Sequence, residues 1–116
     1  DVLAVRRDRL RWRKGALEAL LLAHFRGLAH LRINREDAMR RIAAWRGLSF
    51  KEVRASYAGL ELPGAVGNRA YFGSEGRLLA AARALNDVMV DSGQLAAPDS
   101  LEALMDAGYL PRRAVT

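Results

Sequence analysis

The stretch Gly47-Leu48-Ser49-Phe50-Lys51-Glu52-Val53 decides how this chain is organised. A glycine such as Gly47 supplies the left-handed residue that commonly ends a helix. Ser49 and Glu52 have the spacing of a capping box, in which each side chain satisfies an amide that the first turn leaves open. One helix therefore stops and the next starts across a two-residue corner. All three residues are structural punctuation; none of them suggests chemistry.

Upstream of the corner, Asn34 reads as the N-cap of the helix that Gly47 ends. Glu36 and Asp37 stand in its first turn, where carboxylates suit the helix dipole. Ala38, Ile42 and Trp45 form its inward stripe, with Met39 and Ala43 beside them. Before it, a long helix is predicted over about 16–31, with Leu17, Leu20, His24, Leu28 and Leu31 on one stripe at spacings of three and four. Leu21 and Phe25 widen that stripe, and Ala19, Ala23 and Gly27 make a second, small-residue one. A helix apolar over so much of its girth packs on two sides. Residues 1–7 alternate through Val2 to Val5 and read as one short strand, which needs partner strands from elsewhere. Gly15 then separates a basic turn from the long helix.

Downstream, Phe50, Val53 and Tyr57 face the core until Gly59 ends the third helix. Residues 60–73 hold Pro63, Gly64, Gly67 and Gly73 and read as an irregular loop, and long loops of this kind tend to be functional. Ser74 caps a helix over about 75–92, with Leu78, Ala82, Leu85 and Met89 as its stripe and Gly93 as its stop. A second capping box, Asp99-Ser100-Leu101-Glu102, opens a last short helix ending at Gly108, and Pro111 begins the tail. The expected fold class is mainly α: four to five helices after one short N-terminal strand. The expected division of 1–116 is strand 1–7, helical core 16–59, loop 60–73, C-terminal helices 74–108 and tail 109–116.

Composition narrows the function classes. The 116 residues are 51% hydrophobic, enough for one domain with its own core. No apolar run approaches the roughly 18 residues that span a bilayer, and no signal peptide is visible. The lack of an initiator Met fits a chain cut from something longer. Cysteine is absent, which excludes disulfides, thiol catalysis and cysteine-based zinc sites. The net charge is +6. It could mark an anion-binding or nucleic-acid-binding face, but the arginines scatter from Arg6 to Arg113, as on solvated helix faces.

No motif carries catalysis. His24 and His30 are six residues apart and cannot share a metal on one helix face, and His24 reads as a core histidine. Glu36 and Asp37 point apart. Asp87 and Asp91 are i, i+4 but lack a third ligand. Gly64-Ala65-Val66-Gly67 has no following Lys-Ser/Thr and is not a phosphate loop. Trp45 and Tyr57 fall on helical stripes and are expected in the core. Only Asn68, Arg69 and Tyr71, with Phe72 in the same loop, form a candidate ligand- or partner-contact cluster. Residues 35–58 have the outline of a helix-turn-helix, but the second helix is short and exposes Glu52 beside Lys51 and Arg54. No enzyme activity, metal or cofactor is expected.

Taken in order, these elements resemble a family. The run Asp1-Val2-Leu3-Ala4-Val5-Arg6-Arg7-Asp8 is similar to the strand entering the C-terminal part of ABC-transporter substrate-binding proteins of the nitrate/sulfonate/taurine type. The likeness continues through Ala16 to Leu28, Asn34 to Ala38, the corner Gly47 to Val53 and Asn68-Arg69-Ala70-Tyr71-Phe72-Gly73. It ends with Ser92 to Leu95, Pro98, Leu101, Leu104 to Asp106 and Tyr109-Leu110. The resemblance implies the last third of a two-lobed, extracytoplasmic binding protein. Such a protein closes its lobes on a small, anionic solute of the sulfonate or nitrate kind and hands it to a membrane permease. It implies no binding residue in this chain, because the family's main ligand loops come from other segments. The alternative is a self-standing Arg-rich helical module that binds an acidic partner or nucleic acid. Either self-association through the small-residue stripe of the long helix or poor solubility is expected.

Overall fold

The computed structural model describes every residue except 1, 74, 75, 114 and 116, and Arg11 by its backbone alone. Its elements are α1 (Arg7–Ile33), α2 (Arg35–Arg46), α3 (Phe50–Ser56), α4 (Ala65–Tyr71), α5 (Arg77–Asp91) and a 3₁₀ turn (Ala107–Tyr109). The fold is mainly α, as the periodicity predicts.

The strand expected over 1–7 is absent. Residues 2–6 are irregular, Arg7 already belongs to α1, and no strand exists among the described residues to offer a ladder. The segment expected to be a basic turn is helical instead. Asp8 lies in the first turn of α1 and pairs with Arg6 at 2.8 Å. Gly15 sits inside the helix at a cost of about 1 kcal/mol, too little to end a run this long.

At the Gly47 to Val53 corner the structure follows the sequence. Gly47 adopts φ 65°, ψ 30°, the left-handed conformation, and closes α2. The Ser49 hydroxyl accepts the Glu52 amide at 3.2 Å, and the Glu52 carboxylate accepts the Ser49 amide at 2.8 Å. Met39, Ala43 and Val53 meet across this corner, and Leu31, Ile42, Phe50 and Tyr57 pack around them. Trp45, expected inside, is 81% exposed. The buried face of α2 runs through Ala38, Met39 and Ala43, so it is turned toward position 39 and leaves Trp45 at its edge.

The hydrogen bonds from Ser49 hold the Glu52 carboxyl below its ordinary range. Its unfolded pKa is therefore the higher of the two. The stability it contributes is complete above roughly pH 4.5 and lost as pH falls through the lower folded value. Glu52→Gln is expected to melt below wild type at pH 7, with the gap closing as pH falls below about 4.5, as followed by circular dichroism. A gap that survives at the acidic end would contradict the capping role.

The segment 60–73 is not an irregular loop, because it contains α4. Gly64 is the N-cap residue, and Asn68 donates its side-chain amide to the carbonyls of Pro63 and Gly64 at 2.9 and 3.0 Å. Gly67 lets this turn fold back over Pro63, since a Cβ there would lie 3.1 Å from the proline ring. Phe25 of α1, Ala65 of α4 and Leu110 form a second small core, with Leu28, Phe72, Ala107 and Val115 beside it.

The expected cap Ser74 lies outside the described residues, and Gly76 occupies the N-cap position of α5. The helix expected to open at Asp99 and end at Gly108 is also absent. Asp99 accepts the Leu101 amide at 2.7 Å and Ser100 accepts the Glu102 amide at 3.3 Å. Both are i to i+2 bonds, which make turns in competition with a helix. Leu101 and Ala103 consequently sit at φ 57° and 50°. Asn86 of α5 holds this segment through two bonds of 3.1 Å to the backbone of Asp99.

The helices do not close into one sphere. The radius of gyration is 17.1 Å, against about 13 Å for a compact chain of this length. The accessible surface is 9279 Å², against roughly 6,300 Å² for a compact monomer of this mass.

Candidate functional site

Asn68, Arg69 and Tyr71 all lie on α4, but they do not converge on one space. Asn68 is occupied by the Pro63 and Gly64 carbonyls. Arg69 reaches the C-terminal segment, where its guanidinium donates to the carbonyls of Ala107, Leu110 and Pro111 at 3.3, 2.5 and 3.1 Å. The Tyr71 hydroxyl donates to the Glu61 carboxylate at 2.8 Å, while Arg77 approaches its oxygen at 3.4 Å. Each side chain thus pins a different piece of backbone or loop to α4. The cluster was legible as polar residues on a loop. Only the structure spends those groups on the chain itself.

Two shallow clefts flank Arg32 on α1. The smaller, about 170 Å³, lies between α1 and α4 beside Phe25, Ala65 and Val115. The larger, about 290 Å³, lies between α1, α2 and the Leu60 to Leu62 segment, over Met39 and Tyr57. Neither includes Asn68, Arg69 or Tyr71. Arg32 is itself engaged with the Leu62 carbonyl. Gly64 admits it, since a Cβ there would meet the guanidinium at 3.3 Å.

A polar group of His30, Asn34, Asp37 and Arg41 joins α1 to α2. His30 Nε2 stands 2.8 Å from Asp37 Oδ2, its Nδ1 stands 3.3 Å from the Asn34 amide nitrogen, and Arg41 Nε donates to the same Asp37 oxygen at 2.7 Å. The Arg41 bond, and after it the His30 bond, holds the Asp37 carboxyl below its ordinary range, and Asp37 raises Arg41 in return. Both imidazole nitrogens are engaged, so the geometry locks the interhelical corner and presents no base to a substrate. The i, i+7 spacing of His30 and Asp37 across Asn34 was the available signal, and it is informative only once the corner is known. His24, read as a core histidine, is exposed and stands edge-on to Phe25 at 5.1 Å. The buried face of α1 passes through Phe25 and Ala29, one position away.

Among the described residues no group of three or more His, Asp or Glu is placed to hold a metal ion. No helix among them is long and apolar enough to cross a membrane. No protein family, curated protein or solved structure gives a match to the chain.

Proposed function

We propose that the chain is the C-terminal helical part of an extracytoplasmic solute-binding protein of an ABC importer, of the nitrate/sulfonate/taurine type. In this reading the protein closes two lobes on a small anionic solute and presents it to a membrane permease. The ordered motifs from Ala16 to Leu110 suggest the family.

The observation that carries the reading is the outer face of α1. Ala16, Ala19, Leu20, Ala23 and Gly27 share that side of the helix and are all exposed, Leu20 at 54%. About three turns of helix there carry no charge. Such a surface suits a second layer of protein laid closely against it. The binding site would then lie between this part and the other lobe, consistent with the shallow clefts of this part.

The Arg-rich alternative draws less support. Arg6, Arg32, Arg40, Arg41 and Arg69 each hold a carboxylate or a backbone carbonyl of the chain itself.

The test has two arms. Reading the gene upstream of Asp1 should show a secretion signal and an α/β lobe, and their absence would end the proposal. The full-length protein should then gain thermal stability with taurine or nitrate, by about 2.7 kcal/mol at ligand 100-fold above Kd. Tight binding to random-sequence DNA that collapses as salt rises would favour the Arg-rich module instead.

A further inference from the structure

The geometry points to the outer face of α5 as a self-association surface that pairs two copies of the chain antiparallel. This inference rests on α5 alone and stands whether or not the solute-binding reading holds.

The helix is amphipathic, yet none of its residues is buried. Its inner half, Leu78, Leu79, Ala82 and Met89, lies half-covered against the body, with α4 as its main helical neighbour. The opposite side carries Arg77, Ala81, Ala84, Val88 and Asp91, spaced four, three, four and three, with Leu85 alongside; all are exposed, Leu85 at 58% and Val88 at 60%. That spacing is the seam of a two-helix coil.

The two ends of the seam decide the occupant and its direction. Arg77 closes one end and Asp91 the other, on a helix of 15 residues. A second copy laid antiparallel about a two-fold axis at Ala84 sets Arg77 level with the partner's Asp91 and Asp91 level with the partner's Arg77. It also sets Ala84 against its own copy and large Val88 over the partner's small Ala80, so the seam can close tightly. Arg83 and Asp87 repeat the charge order on one flank. A parallel copy would bring like charges together at both ends and align the helix dipoles unfavourably. Arg77 would exchange weak, exposed contacts for this role: a 3.6 Å pair with Glu61 and a 3.4 Å approach to the Tyr71 hydroxyl, whose ring it also covers.

Sedimentation velocity of the 116-residue chain from about 5 to 500 µM reads the outcome. Wild type should pass from monomer toward dimer over this range. Arg77→Asp or Asp91→Arg turns two attractive pairs into two repulsive ones, and each should raise the dissociation constant about tenfold, with circular dichroism unchanged. The combined Arg77→Asp and Asp91→Arg exchange should restore it to within about threefold of wild type. Val88→Glu should leave only monomer. A concentration-independent wild-type monomer overturns the proposal, as does association that survives Val88→Glu or a charge exchange that restores nothing. Association that survives every α5 change and yields to Ala23→Glu on α1 would overturn it while leaving the solute-binding reading intact.

Discussion

Met39→Ala is expected to lower the thermal midpoint by roughly 10 °C or more. Met39 is 2% exposed and sits where α2 and α3 meet, with Val53 at 1% as its neighbour. These two are the most fully buried large side chains among the described residues. Truncating a buried Met costs about 2–5 kcal/mol through lost transfer energy and the cavity left behind. Each kcal/mol moves the midpoint by roughly 4 °C in a domain of this size. Met39→Leu nearly conserves volume and should cost less than about 1.5 kcal/mol. Differential scanning calorimetry of the two variants separates packing from chain-wide effects. Equal loss in both would mean that the corner is not held by this contact.

Arg69→Met should release the C-terminal segment. The variant keeps an apolar stem and removes the guanidinium that three carbonyls share. Hydrogen bonds to charged groups are worth more than neutral ones, and losing this set should cost about 2–4 kcal/mol. Leu110 would lose the anchor that keeps it at 7% exposure against Phe25 and Ala65. Limited trypsin digestion is expected to cut at Arg112 and Arg113 many times faster than in wild type. Arg69→Lys should rescue only partly, because an ammonium cannot span three carbonyls in a fixed plane. The result also discriminates between roles. A ligand-contact arginine would lose binding with little change in stability, whereas a clamp loses stability first.

The readable parts of the fold were those specified within a few residues. Gly47, Ser49 and Glu52 act on atoms one to four positions away, and the structure matches them bond for bond. Where local signals could be satisfied in two ways, the sequence misled. Asp99 and Ser100 fit a helix start, yet their side chains bond two residues on and make turns instead. Residues 2–5 alternate like a strand, but a strand needs a neighbour that no other described segment supplies. Glycine and proline in 60–73 hid α4, whose fold-back over Pro63 leaves little room for a side chain at Gly67.

The candidate site was legible only as a set of polar groups. Asn68, Arg69 and Tyr71 stood out because they were polar and lay in a loop. Their partners lie 4 to 42 residues away, and only the folded chain shows that those partners belong to the chain itself.

The same distinction separates what sequence alone determined from what tertiary structure decided. Period, caps and stops determined that this chain is mainly helical and where most helices end, because those interactions close within one or two turns. Which face of each helix turns inward was decided by packing. α1 buries Phe25 and Ala29 and leaves His24 and Leu20 outside, α2 buries Met39 and leaves Trp45 outside, and α5 leaves Leu85 and Val88 outside. Each of these helices is apolar over more of its girth than the rest of the chain can cover. Local periodicity then permits several inward faces of similar energy, and the partner surface selects among them.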